Sequence, residues 1–431
     1  MVIEPNEHLS CVAVVGLGKI GLPLAAMFAN NGYQVYGADK NKEVIDSISR
    51  GESHVKNEPG LEELVLEAHQ KNSLIATNST VEAVSEANIV VVIVPVLVKE
   101  NNEIDYQYID SAVEDIGKGL QEGTLVIFET TLPPGDTVNR FGKRIEEISS
   151  LKMGEEFYLA YSPERVYSNR IIEDLNSYPK VVGGFNEQSL ERASAFYQNA
   201  LGCKMIEVSS IETAEFSKVA ECVYRDVNIA LANELAKFAE KMEVRISEVI
   251  EASNSQPFSH LHAPGIGVGG HCIPIYPYFF INKGLNQGLT TLSREINDSM
   301  ANYAISKLEN RVGDLKNKNV LILGLSYREN VKESTKSTSL LLIDQLKEKQ
   351  ANVFVNDPHY SVSEIIDYGV LPLSVNDKMI ENIDVVILQA FHKEYETLDF
   401  KKFSNCELFF DGRNKLNEED ITQLGILYEG I

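Results

Sequence analysis

Residues 11–41 read CVAVVGLGKIGLPLAAMFANNGYQVYGADKN. Residues 11–15 make a short apolar run, which predicts a buried strand. Gly16, Gly18 and Gly21 follow in GxGxxG spacing. A helical pattern then runs to about Asn31, and a second strand, Gln34–Ala38, ends at Asp39. The whole is a β-α-β unit. In such a turn the first glycine permits the tight bend and the second lets backbone approach a pyrophosphate. The third lets helix and strand pack closely, with the phosphates facing the helix N-terminus. Asp39 stands 18 positions after Gly21, where an acid bonds the ribose 2′-hydroxyl of NAD and repels the 2′-phosphate of NADP. A glycine turn without a ligand is the bland alternative; the strand–helix context and the spaced acid favour a dinucleotide.

Outward from this unit, "NIVVVIVP" (88–95) and "TLVIFETT" (124–131) are further strand-like runs. They alternate with helical segments, which implies a parallel sheet covered on both faces. From Ser209 to about Lys241 there is neither proline nor glycine, and apolar residues recur at helical spacing. A long helix is predicted there, opening a helical middle section that runs to about Val312. Strands then restart at 316–330, 351–358, 383–390 and 407–414. The expected fold class is α/β: two Rossmann-like, doubly wound parallel-sheet domains joined by a long-helix connector. The expected boundaries are 1–208, 209–312 and 313–431.

The formal charge of the 431-residue chain is −24, which argues against general nucleic-acid binding. An anionic ligand must therefore be held by local groups such as glycine loops, helix N-termini and a few cations. No apolar run reaches membrane-spanning length, and "MVIEPNEHLS" at the start has neither a basic segment nor an apolar signal core. The five cysteines, Cys11, Cys203, Cys222, Cys272 and Cys406, are scattered and form no CxxC pair. Neither a disulfide framework nor a zinc site is expected, and a reducing, cytoplasmic setting fits. No His/Asp/Glu cluster has metal-ligand spacing.

Cys272 lies in "PGIGVGGHCIPIYP" (264–277), too irregular for helix or strand. A loop on a rigid scaffold is where catalytic groups gather, but a cysteine is as readily a small buried hydrophobe. Cys11 and Cys203 flank strands and are read as the latter. Lys218 sits within the predicted long helix, where lysines are mostly solvated. Glu164, in "YSPERV", follows an apolar strand, at either a site edge or a surface turn. His271 beside Cys272 invites a dyad reading; adjacent side chains rarely point together, so a structural role is expected.

"GLGKIGLPLA", "ETTLPPGDT", "SPERV", "YRDVNIALANELA", "GVGGHCIP" and "DGRN" occur in that order across nearly the whole chain. In this the sequence resembles the UDP-glucose/GDP-mannose dehydrogenases, in particular the branch acting on UDP-N-acetylhexosamines such as UDP-GlcNAc and UDP-ManNAc. The resemblance implies a two-step, four-electron oxidation of a C6 hydroxymethyl to a carboxylate, with two NAD reduced in turn. It implies an NAD-binding N-terminal domain, a C-terminal domain gripping the UDP moiety, and a helical homodimer core.

Under this resemblance Cys272 is the nucleophile, forming a thiohemiacetal and then a thioester that water hydrolyses. The glycines around it would let the loop backbone approach the sugar. Glu164 is the acid–base residue of the hydrolytic stage, Lys218 stabilises oxyanions, and Thr131 positions water near the nicotinamide. The cofactor side comprises Gly16, Gly18, Lys19, Ile20, Gly21, Asp39, Pro95 and Thr131. The substrate side comprises Glu164, Arg165, Val166, Lys218, Gly269, Arg328 and Arg413.

Several positions depart from the family pattern. Tyr276 stands where an aspartate is usual, and Cys222 where an asparagine is usual. Thr335 replaces an arginine that reaches the cofactor side, with Lys332 and Lys336 nearby as stand-ins. Phe258 occupies a position where the acetylhexosamine branch often has arginine. With the Asp and Asn partners missing, an epimerase that returns the hydride is the alternative to a net dehydrogenase. A binding protein that kept the fold is a third, disfavoured by the intact Cys272, Lys218 and Glu164.

Overall fold

The computed structural model describes residues 10–99, 101–284 and 287–431. All of the N-terminal decapeptide except Ser10 therefore lies outside the described residues. The chain parts into two compact units, Met1–Glu221 and Cys222–Ile431.

In the first unit the strands are β1 (Cys11–Val15), β2 (Gln34–Ala38), β3 (Leu74–Thr77), β4 (Ile89–Val92), β5 (Leu97–Val98) and β6 (Ile104–Asp105), followed by β7 (Leu125–Phe128), β8 (Tyr158–Tyr161), β9 (Lys180–Gly184) and β10 (Met205–Val208). Strands β5 and β6 form a small antiparallel hairpin. The other eight form one sheet in the order β10-β9-β8-β7-β4-β1-β2-β3, parallel throughout except for the β8–β9 pair. Val12, Val14, Val90, Val91 and Ile127 are fully buried. Helices cover both faces, so the central strands read as unbroken apolar runs rather than alternating ones. Helix Gly21–Asn30 buries Leu22, Leu24 and Phe28, and Phe28 meets Phe196 edge-on at 5.1 Å. Strand order reverses at β1, which has β2 on one side and β4 on the other. The carboxyl ends of β1 and β4 thus flank a topological switch point, where ligands of open α/β sheets bind.

The second unit contains β11 (Asn319–Leu323), β12 (Asn352–Asn356), β13 (Leu371–Pro372), β14 (Val385–Leu388), β15 (Leu408–Asp411) and β16 (Leu427–Gly430). They form a six-stranded sheet in the order β13-β12-β11-β14-β15-β16, parallel throughout. The four predicted strands are its centre. The edge strands β13 and β16 were not predicted, because one has two residues and the other buries none of its side chains. Helix Leu289–Val312 packs Met300, Ala304 and Leu308 on this sheet, against Val320 and Ile322. The predicted long helix is Ile211–Lys241, 31 residues. It begins in the first unit and continues in the second, and the helical section ends at Val312 as expected.

Candidate active site

In the first unit, the three glycines of the β1 turn have distinct physical reasons. Gly16 has φ +95°, and a Cβ there would lie 2.6 Å from the Ile93 carbonyl oxygen. A Cβ on Gly21 would lie 1.8 Å from the Gly16 carbonyl oxygen, so any side chain would drive the helix off the turn. Gly18 differs: a Cβ there meets no atom within 4 Å. Nothing in the protein requires glycine at that position, whereas a pyrophosphate lying against the backbone does. Asp39, at the end of β2, accepts from Leu17 N at 2.8 Å and from Asn41 N at 2.8 Å. The carboxylate is thereby fixed beside the turn. These residues fit NAD. Lys19 is exposed and Ile20 half-buried at the helix entrance. Pro95 is exposed in the segment after β4. Thr131 is buried after β7, and its neighbour Thr130 donates to the Val94 carbonyl at 2.8 Å. The β4 and β7 exits are thus joined at the carboxyl edge of the sheet. Glu215, on the long helix, accepts from Gly135 N and from Thr137 N (2.9 Å), which anchors "LPPGDT". Burial pushes its carboxyl up to about 7, against those N–H bonds.

Glu164 stands in an ionic array that the sequence reading missed. Lys180 Nζ lies 2.8 Å from Glu129 Oε2 and 3.1 Å from Glu164 Oε2. Tyr197 donates its hydroxyl to the other oxygen of Glu129, and Lys180 lies 4.7 Å from the Tyr197 ring centre. Glu129, Lys180 and Tyr197 are buried, and Glu164 is 14% exposed. Burial pushes Glu129 up to about 7, with the Lys180 charge only partly offsetting it. Burial acts on Glu164 in the same sense, but Lys180, the Arg165 N–H and Glu129 together bring its carboxyl below the ordinary value. Arg165 N donates to Glu164 at 2.6 Å, while the Arg165 guanidinium pairs with Glu221 at 3.1 Å and donates to the Pro179 carbonyl. Val166 is half-buried against the apolar core. Lys218 is half-buried on the long helix and has no ion-pair or hydrogen-bond partner among the described residues. One signal could have revealed Lys180: it heads KVVGG, a strand every residue of which is buried, and a charge there requires partners.

In the second unit, the glycines of the Cys272 loop lie in close contact with the protein's own atoms. A Cβ on Gly269 would lie 2.6 Å from Tyr327 Cβ and 2.8 Å from the Lys336 carbonyl oxygen, and one on Gly267 2.7 Å from Thr338 Oγ1. Gly270 has φ +96°, and its N–H donates to the Thr335 carbonyl at 2.8 Å. The loop is thus pressed onto the segment after β11. Cys272 is half-exposed at its end, and no disulfide joins the five cysteines.

His271 stands beside the cysteine. Its ring faces both Cys272 and Glu333, with Nδ1 3.6 Å from Glu333 Oε1. The bond to Cys272, then Glu333, push its pKa up to about 10 against the opposing effect of burial. An imidazolium beside a thiol favours the thiolate. Glu333 is held in turn by Thr335 Oγ1 at 2.9 Å. Thr335 therefore serves this group, and Lys332 pairs with Glu364 at 2.5 Å.

Tyr276 N bonds the Cys272 carbonyl at 2.9 Å, so the tyrosine opens the helix that follows the cysteine. Phe258 is 93% exposed. Arg328 Nε donates to the Tyr327 hydroxyl at 3.1 Å. Arg413 donates to the carbonyl and side-chain oxygens of Gln389 and to the Tyr327 carbonyl at 3.4 Å. None of these partners is charged, and burial lowers the Arg413 pKa to about 10. A cation desolvated without a carboxylate partner suits a diphosphate.

Three stretches match the UDP-glucose/GDP-mannose dehydrogenase family: residues 10–201 its NAD binding domain, 212–299 its central domain and 321–418 its UDP binding domain. Over 391 residues the chain is 36% identical to a UDP-N-acetyl-D-mannosamine dehydrogenase of Methanococcus maripaludis, covering 90% of this chain and 87% of that one. Among solved structures it is similar to the UDP-D-ManNAc dehydrogenase of Pyrococcus horikoshii, with TM-score 0.87, 30% identity and 98% and 99% of the two chains covered. It is also similar to an NDP-N-acetyl-D-galactosaminuronic acid dehydrogenase of Methanosarcina mazei Go1, with TM-score 0.85, 28% identity and 99% and 95% covered.

Proposed function

The chain belongs to the UDP-glucose/GDP-mannose dehydrogenase family, and from that membership we propose that its substrate is UDP-N-acetyl-D-mannosamine, oxidised at C6 to the uronate. It is an NAD-dependent nucleotide-sugar 6-dehydrogenase. NAD, held by the Gly16–Gly21 turn and Asp39, supplies the hydride acceptor. A first loss of hydride from C6, with the hydroxyl proton, gives the aldehyde; Cys272 adds to it to give a thiohemiacetal, and a second loss of hydride, to a second NAD, leaves a thioester. The His271 imidazolium keeps the sulfur as thiolate before the addition. Glu164 takes the proton of the water that cleaves the thioester, Lys218 and Thr131 serve the oxyanion and the water, and Arg413 and Arg328 hold the substrate. The observation that carries the acid-forming reading is the half-exposed Cys272 with His271 and Glu333 beside it.

The test is a panel of nucleotide sugars with NAD, read by NADH absorbance and product mass. Net NADH and a uronate from UDP-ManNAc are expected. A converted sugar without net NADH would instead support hydride return, as in an epimerase. Cys272→Ser should stop acid formation, and uronate formed at the native rate by that variant would sink the thioester route.

We further infer three segments, 1–208, 209–312 and 313–431, in line with the three matched ranges. A homodimer is supported by the long helix, whose Tyr224, Leu231 and Phe238 recur every seven residues and are 59%, 45% and 62% exposed. A seven-residue apolar repeat on a helix suits pairing with a second helix. A monomeric mass at micromolar concentration would refute it. We infer a cytoplasmic setting, which the scattered cysteines with no CxxC pair fit; no described helix is long and apolar enough to cross a membrane.

A further inference from the structure

We propose that Lys180 is the positioning residue for Glu164, holding it as an aimed carboxylate for the hydrolytic half of the reaction, with Glu129 and Tyr197 as its fixed support. The inference rests on the thioester reading above. Lys180 reaches both carboxylates, at 2.8 and 3.1 Å, and is itself 6% exposed. A lysine with two carboxylates and no water shell has its rotamer fixed by them, and it fixes theirs. Glu129 is buried completely and bound through its second oxygen by Tyr197. It therefore serves as the rigid end of the array, while Glu164 is the end that reaches solvent. The groups facing Glu164 are Lys180, Glu129 and the Arg165 N–H, with Asp174 and Tyr178 across a cavity of about 20 Å³ that they line together with Pro179. That volume suits a single water.

Under the thioester reading the step balances as follows. A water O–H bond breaks and its proton passes to Glu164. The water oxygen bonds to the thioester carbonyl carbon, the C–S bond breaks, and Cys272 leaves as thiolate. Glu164 then returns its proton to solvent. A base must be ionised before it can act. Without Lys180, burial would raise the Glu164 pKa, so the carboxyl would be protonated over more of the working range. The sign follows: activity that depends on ionised Glu164 rises with pH through its pKa. Removing the lysine charge therefore moves that rise to higher pH.

The experiment compares the full-length enzyme with Lys180→Met, Lys180→Arg, Glu164→Gln and the double variant Lys180→Met with Glu129→Gln. The double variant removes both charges together, so no unpaired Glu129 carboxylate is left buried. Each is mixed with UDP-ManNAc and NAD. The NADH burst, the steady-state rate from pH 5 to 9 and the mass of the Cys272 peptide are recorded.

For both lysine-to-methionine variants the expected result is an intact burst and an acylated Cys272, as in Glu164→Gln. Steady turnover should fall on the order of 100-fold at pH 7, with its acid limb displaced upward. Lys180→Arg should recover most of the rate and the native limb. The proposal is overturned if the folded double variant turns over at the native rate and pH profile, or if the burst is lost together with turnover while NAD still binds. A native enzyme that forms neither a burst nor an adduct with any nucleotide sugar would instead sink the thioester reading itself.

Discussion

The two sheets each begin with the same turn, and only one of the turns is open. In the first unit Gly16 has φ +95° and its N–H bonds the Ala38 carbonyl at 2.8 Å. In the second, Gly324 has φ +95° and its N–H bonds the Asn356 carbonyl at 2.7 Å. The next N–H reaches the aspartate ending the neighbouring strand: Leu17 N to Asp39 at 2.8 Å, Leu325 N to Asp357 at 2.8 Å. The third position then differs. Gly18 leaves its space empty, whereas Ser326 fills it and bonds both Asp357, at 3.0 Å, and the Val331 carbonyl, at 2.6 Å. Asp357 accepts further from Ser326 N and His359 N and lies 3.0 Å from His392 Nε2. It is 3% exposed. A ribose finds an acceptor beside the first turn and none beside the second. What separates the two glycine turns is the space left unfilled, not their backbone angles.

Four changes would break or sharpen that contrast. The largest effect belongs to Gly18→Val. It places a side chain where the pyrophosphate should lie, so NAD affinity should fall on the order of 100-fold, about 2.7 kcal/mol. Its thermal stability should stay near native, because a Cβ there meets no protein atom within 4 Å. An unchanged KM for NAD would put the cofactor elsewhere.

Next comes Asp357→Ala, which strands buried donors from Leu325 and Ser326. It should cost the second unit about 2–3 kcal/mol, seen as a lower urea midpoint, with KM for NAD untouched. A large rise in that KM would show that the second turn is not the closed one.

Asp39→Asn is smaller. It removes the charge that rejects a 2′-phosphate, and the preference for NAD over NADP should drop about tenfold, about 1.4 kcal/mol. Equal use of both cofactors by the native enzyme would already refute the placement.

The last is a pH effect. Burial would raise the Asp357 carboxyl, but the bond to His392, its charge and the backbone N–H groups hold it below its ordinary value. A depressed carboxylate contributes stability above its unfolded pKa, about 3.9, and loses it as pH falls through the folded value. Amide exchange around 324–331 should therefore stay slow to about pH 4 and quicken only below it. Quickening already at pH 6 would contradict the assignment.

Much of this was legible in the chain. The strand, glycine turn, helix and strand of residues 11–39 fall where the pattern put them, as does the long helix. Cys272 was noticed because its loop is so unlike a helix or strand. The partner of His271 was not legible in the chain, because Glu333 lies 62 residues on. Lys180 was missed because its partners, Glu129 and Glu164, lie 51 and 16 residues before it. That Tyr327 and Thr338 press against the loop glycines was likewise not legible, because both lie more than fifty residues on.

The sequence by itself determined the central strands, the long helix, the two-sheet α/β class and the family, because apolar period, glycine placement and motif spacing are local properties of a chain. The tertiary structure alone decided which turn is open and which is plugged, which lysine holds the buried carboxylates and which histidine meets the cysteine. Those outcomes depend on the burial of charge among residues far apart in the chain. Burial costs several kcal/mol for an ion left alone, so partners are set by where the fold removes water, which no single segment encodes.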